Sequence, residues 1–163
     1  MLGRSHLAIG AAAGEAVAFL LGGGGIGHLA IGGAIGAVSA WLPDIDSAAS
    51  GISHAVPLGW LPGLILKHRG ITHTLLAATG WYLLWAAWAS PRFGLPSWWA
   101  LAAAAGYASH LALDLVSGGV PLLWPVKRAR IGPLWVQTGS ILEHAAIFPT
   151  TLALWLLVSW RSV

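Results

Sequence analysis

His68-Arg69-Gly70-Ile71-Thr72-His73 sets two imidazoles and a guanidinium within six residues, and the chain then runs into Thr74-Leu75-Leu76-Ala77-Ala78, the opening of an apolar segment. Polar groups this dense at the mouth of a helix of membrane length are costly unless something binds there. The stretch therefore raises two expectations: a polytopic membrane protein of helices, and a metal site at one of its faces.

Composition bears on the first. Of 163 residues, 57% are hydrophobic and 8% are charged, with a mean hydropathy of +0.77. A soluble domain carries roughly 25% charged residues, so a water-facing surface cannot be made from this chain. The reading is an all-α integral membrane bundle, a single domain over 1–163, since no stretch is long enough to serve as a linker. Cysteine is absent, which excludes disulfides and thiolate ligands. The net charge of +3 and pI near 10.0 do not indicate nucleic acid. The eight basic residues are scattered along the chain, as positive flanks of membrane helices are. The first apolar run, after Met1-Leu2-Gly3-Arg4-Ser5-His6, reads as a retained span, not a cleaved signal.

Five runs approach the ~20 residues needed to cross the hydrocarbon: 5–21, 26–42, 72–90, 97–117 and 141–160. Gly10/Gly14 and Gly32/Gly36 form G-x-x-x-G pairs, which let backbones approach closely in lipid, so the first two helices are expected to pack as a tight hairpin. Trp81, Trp85 and Trp88 recur along one side of the third. Alternate crossing then returns the N-terminus, loop 43–71 and loop 118–140 to one membrane face, and sends the C-terminus to the other. Arg4, Lys67, Arg69, Lys127, Arg128 and Arg130 fall on the first face, against Arg92 and Arg161 on the second. The positive-inside rule makes the first face cytoplasmic. Trp88, Trp98, Trp99, Trp155 and Trp160 gather near the other face as an interfacial belt.

The ionisable residues follow the same map. His6 opens the first helix, Asp44 and Asp46 follow the second, and His68 and His73 precede the third. His110 and Asp114 end the fourth, and Glu143 starts the fifth. All lie on the cytoplasmic face. His110 and Asp114, four apart, share one side of a helix, and Gly106 leaves room beside them. Asp44 and Asp46, two apart after a proline, project together from an extended segment. Imidazole with carboxylate and no thiolate suits Zn²⁺, Mn²⁺ or Fe²⁺. Eight candidate ligands exceed one tetrahedral shell, so two ions are admitted as well as one. Blander roles stand beside these: Ser140 and Glu143 have capping-box spacing, Asp44 and Asp46 are turn residues at a helix end, and Arg69 is also a basic flank. His28 and His54 stand apart from the cluster. Glu15, nine residues after His6, falls on the opposite side of the first helix.

These motifs resemble the LexA-regulated, membrane-bound metal-dependent hydrolases of the YdjM type over nearly the whole chain. The matching segments are His6, Leu-Pro-Asp-Ile-Asp at 42–46, His-Arg-Gly-Ile-Thr-His-Thr at 68–74, Ser-His-Leu-Ala-Leu-Asp at 109–114 and Gly-Val-Pro-Leu-Leu-Trp-Pro at 119–125. A weaker one is Gly-Ser-Ile-Leu-Glu at 139–143. A more distant likeness is to the zinc-dependent phospholipase C and P1 nuclease group. The resemblance implies an inner-membrane metal-dependent hydrolase with His6, Asp44, Asp46, His68, His73, His110, Asp114 and Glu143 as ligands.

The expected chemistry is hydrolysis of a phosphoester in a lipid or lipid-linked substrate, with the tails left in the bilayer. Metal activates the water, Asp46 or Asp114 accepts its proton, and Arg69, Lys127, Arg128 and Arg130 hold the anionic group. The alternatives are a divalent-metal transporter, for which Glu15 speaks, and a non-enzymatic protein stapled by metal.

Overall fold

The computed structural model describes residues 2–66, 68–133, 135–141, 143, 145, 149, 151 and 152. Among them every regular element is helical, apart from one isolated antiparallel bridge between Val120 and Ile131. Helix α1 (Gly3–Leu21) turns through four glycines, Gly23 and Gly24 having positive φ, into α2 (Ile26–Trp41). Pro43 then tightens the chain into a 3₁₀ turn, Leu42–Asp46, that carries both aspartates. Two short helices, α3 (Gly51–Ala55) and α4 (Leu61–Ile65), lead to a second 3₁₀ turn, Ile71–His73. Thr74 caps α5 (Leu75–Leu83), its hydroxyl accepting from Ala77 N at 3.1 Å. A π-helical turn, Leu84–Ala89, and α6 (Ser90–Phe93) continue the same rod, and Gly94 in the left-handed region ends it. The long α7 (Trp98–Ser117) returns to the starting end.

Helices α1, α2 and α7 form the centre of the bundle. Their contact is backbone on backbone. A methyl group added to Gly14 would overlap the Gly32 carbonyl oxygen, one on Gly36 would overlap that of Gly10, and one on Gly106 would overlap that of Gly36. The G-x-x-x-G pairs are therefore the seam of the hairpin, and α7 lies against it through Gly106. Towards the glycine turn, Ala18, Trp98 and Ala102 make a small apolar cluster.

The distribution of polarity is inverted relative to a soluble domain. The largest fully buried side chains among the described residues include His6, His73, His110, Glu143, Asp46 and Asp114, whereas Ile26, Val38, Leu83 and Trp88 face outwards. This is the distribution that a lipid surrounding calls for.

The expectation of five spans is corrected. Two of the described helical stretches are long and apolar enough to cross a membrane, Ile26–Asp46 and Trp98–Ser117. Helix α1 has 19 residues but carries Arg4, His6 and Glu15. The third rod changes from α to π hydrogen bonding at Leu84–Ala89 and contains Trp81, Tyr82, Trp85, Trp88 and Arg92, residues of interfacial or polar character. In both, the residues serving the polar end or the aromatic side dilute the apolar run. The fifth expected span, 141–160, lies for the most part outside the described residues, as do Lys67, Trp155, Trp160, Arg161 and the C-terminus.

Candidate metal centre

Four chain segments deliver side chains to one end of the bundle: the first turn of α1, the turn Leu42–Asp46, the stretch 68–73, and the last turns of α7. Chain crossing puts them there, because α1 and α5 begin at the end where α2 and α7 finish. Two overlapping groups of donors result, His6 with Asp44 and His110, and His73 with His110 and Asp114, with the donor atoms of each group within 4.8 Å of one another. Asp44 Oδ1 stands 3.8 Å from both His73 Nε2 and His110 Nε2. Asp114 Oδ2 is 3.5 Å from His73 Nε2 and 4.0 Å from His110 Nε2, and its Oδ1 is 3.5 Å from His6 Nε2. Ligands of a tetrahedral zinc ion, with bonds near 2.1 Å, stand about 3.4 Å apart. The donor spacings here, 3.1 to 4.0 Å, lie around and somewhat above that value.

The tautomers point the same way. His110 Nδ1 lies 2.7 Å from the Ala40 carbonyl oxygen, which only accepts, so Nδ1 donates and Nε2 keeps a bare lone pair. His73 Nδ1 lies 3.2 Å from Asp46 Oδ2 and 3.0 Å from the Thr72 hydroxyl oxygen. Since that hydroxyl already donates to Asp46 at 2.5 Å, His73 also donates from Nδ1 and leaves Nε2 bare. The two Nε2 atoms are 3.1 Å apart. Two lone pairs at that distance repel unless a cation or a proton lies between them. His6, stacked on His110 with ring centroids 3.8 Å apart, has a buried Nδ1 with no hydrogen-bond partner among the described residues. The imidazole and carboxylate donors form groups of a kind that can hold a metal ion.

The carboxylates divide their labour. Asp46 is 1% exposed and receives His68 Nδ1 at 2.9 Å and Gly70 N at 3.4 Å besides Thr72 and His73, so its lone pairs are taken up in orienting two histidines from behind. Asp114 is bracketed by Arg69, with Nε 2.8 Å from Oδ2 and Nη2 donating to Oδ1 at 3.0 Å. The Asp44 carboxylate accepts no hydrogen bond among the described residues. His68 sits at the rim, half-exposed, and its hydrogen bond to Asp46 raises its pKa above the usual imidazole range against the opposing effect of burial.

Glu143 is brought elsewhere. Its carboxylate accepts from Leu2 N at 2.7 Å, Ser5 Oγ at 2.6 Å and Gly139 N at 2.7 Å, tying the start of α1 to the later chain. Its own N–H reaches Ser140 Oγ at 3.3 Å, one half of the expected capping box. Arg69, Arg128 and Arg130 line a cavity of about 380 Å³ with Ile71 and Trp124, whereas Lys127 is exposed outside that lining. His54 is exposed on α3, His28 packs edge-on against Trp98 at 5.9 Å, and Glu15 lies against Gly33 of α2. Three contributors are not among the expected site residues: Thr72, the Ala40 carbonyl, and Tyr107, whose hydroxyl donates to Thr72 O at 2.5 Å. Tyr107 lies three residues before His110, a spacing that puts both on one helix face and was the available signal.

The model of the YdjM inner membrane protein family matches residues 1–163. The chain belongs to that family. It is 37% identical over 114 residues to the inner membrane protein YdjM of Escherichia coli (strain K12), and equally to that of Shigella flexneri. Those alignments cover 63% of this chain and 54% of the relatives, so the chain matches about half of their length. The uncharacterized protein YvsG of Bacillus subtilis (strain 168) is 31% identical over 156 residues, covering 94% of this chain and 91% of that protein. No solved structure matches. Family membership and the two apolar helices together make this an inner membrane protein.

Proposed function

We propose that the polar end of the bundle is a metal-dependent phosphoester hydrolase site acting on a lipid or lipid-linked phosphate at the cytoplasmic face of the membrane. The observation that carries it is the pair of bare Nε2 atoms of His73 and His110, 3.1 Å apart and flanked by Asp44, Asp114 and His6. His6, Asp44, His73, His110 and Asp114 would hold the ion, Zn²⁺ first and Mn²⁺ or Fe²⁺ next, with one or two ions compatible with the two overlapping groups. When bound, such an ion acidifies water and polarises a phosphoryl oxygen.

The chain's own residues do the rest. Asp46 and the Ala40 carbonyl hold His73 and His110 in the tautomer that faces the cluster. Asp44, whose carboxylate accepts no hydrogen bond among the described residues, has one oxygen left to take the proton when the other holds the ion, whereas the oxygens of Asp46 and Asp114 are already engaged. The arginine-lined cavity beside the cluster receives the anionic group while hydrocarbon remains in the bilayer. The excess of basic residues at this end supports its cytoplasmic placement.

The test is elemental analysis of the purified chain and of His110→Ala, followed by a phospholipid and lipid-phosphate panel scored for released headgroup or phosphate. Stoichiometric metal lost in the variant, with metal-dependent release from one lipid class, is the expected result. A protein that keeps its metal and cleaves no phosphoester overturns the hydrolase reading.

A further inference from the structure

Arg69 stands between two neighbourhoods. On one side its guanidinium holds both oxygens of Asp114, at 2.8 and 3.0 Å. On the other it forms part of the wall of the 380 Å³ cavity that Trp124, Arg128 and Arg130 also line. Its backbone is in the left-handed region, with φ +56°, uncommon for a residue bearing a side chain. The guanidinium lies directly over Gly118, where any side chain would collide with it. Arg128 and Arg130 are exposed and have no ion-pair partner among the described residues. The cavity thus offers two uncompensated cations beside a third whose charge is spent on a carboxylate of the histidine cluster.

We propose that Arg69 couples anion binding in this cavity to cation binding at the cluster. A phosphate-type dianion held by Arg128 and Arg130 attracts the Arg69 guanidinium away from Asp114. The released carboxylate then turns its full charge on His6, His73 and His110, and a divalent cation is held more tightly there. The inference rests on the reading that the cluster binds such a cation. It adds that substrate charge assembles the site: Arg69 is a positioning residue, and the cation and the anion bind cooperatively. Linkage makes the effect reciprocal, so the cation must tighten the anion by the same factor.

The experiment titrates the metal-stripped protein with Zn²⁺ by calorimetry in a neutral detergent, alone, with sulfate as a soluble dianion, and with phosphatidic acid in the micelle. In the unaltered chain either anion is expected to raise Zn²⁺ affinity by about tenfold, within the usual range of coupling between sites. A response to both identifies a site for the phosphate group itself, and a response to phosphatidic acid alone identifies a lipid headgroup site. Both outcomes support the coupling. In Arg128→Gln/Arg130→Gln the enhancement disappears while Zn²⁺ binding without anion is retained. In Arg69→Gln the affinity without anion rises and neither anion raises it further. Zn²⁺ binding that neither anion alters in the unaltered chain overturns the coupling and leaves the metal site standing. Enhancement that survives in the double variant overturns it too. Absence of Zn²⁺ binding under all conditions instead removes the reading on which the inference rests.

Discussion

The middle of the bundle and its polar end use the same three helices in opposite ways. Where α1, α2 and α7 cross, glycines remove side chains so that carbonyl oxygens meet Cα atoms directly. A few turns away, His6, Asp46, His110 and Asp114 fill the gap between the same helices with long, buried, hydrogen-bonded groups. The seam sets how close the helices come, and the polar end sets what they hold once there. A close seam is what allows imidazoles from α1 and α7 to stack at 3.8 Å.

Breaking the seam should have the largest effect. Gly36→Leu drives a side chain into the α1 backbone at Gly10 and Gly14, and overpacking that cannot relax costs about 3 kcal/mol or more. The expected outcome is loss of the monodisperse folded species by size-exclusion chromatography in detergent, whatever the metal content. Asp46→Ala attacks the other region. It leaves His68, His73, Thr72 and Gly70 without their acceptor, and loss of such an orienting group weakens metal binding by about 10–100-fold. Folding should persist with about 2 kcal/mol less stability, so thermal unfolding and Zn²⁺ titration together separate this variant from the seam variant.

How much of this contrast was legible beforehand depends on the range of the signal. The seam was readable because G-x-x-x-G is a local pattern. The gathering of His6, Asp44, His73, His110 and Asp114 was readable because connectivity alone places their helix ends together. The roles within the cluster were not. Asp46 looks like Asp44 in sequence, and what distinguishes them is that residues 68–73 come back to cover one and not the other. Glu143 had the spacing of a cap and the chemistry of a ligand, yet the contact that occupies it is Ser5, 138 positions away. The span count failed for a different reason. The length of an apolar run overstates a span where, as here, α1 spends several positions on polar groups and the third rod on aromatics.

Smaller effects sharpen the comparison. Tyr107→Phe removes a single hydrogen bond to Thr72 O and should cost about 1 kcal/mol, with a slight loss of metal affinity, since Thr72 also braces His73. This is measurable as a shift in the thermal midpoint with α7 packing unchanged.

The least effect comes from His68. Its pKa is raised by Asp46, so in metal-stripped protein the pair stabilises fully below the ordinary imidazole pKa and fades as pH rises through the folded value. Half exposure limits this to under about 1 kcal/mol. His68→Gln should flatten the pH dependence of chemical denaturation on that alkaline side while leaving the seam untouched.

The glycine seam also bears on the heat taken up when the protein denatures. An interior of backbone, alanine methyls and paired imidazoles conceals little hydrocarbon, and it is hydration of newly bared hydrocarbon that gives unfolding its large heat-capacity increment. At the seam, cohesion comes from close contact between peptide groups, so warmth and cold should act on this part of the bundle more evenly than on a globule filled with leucine.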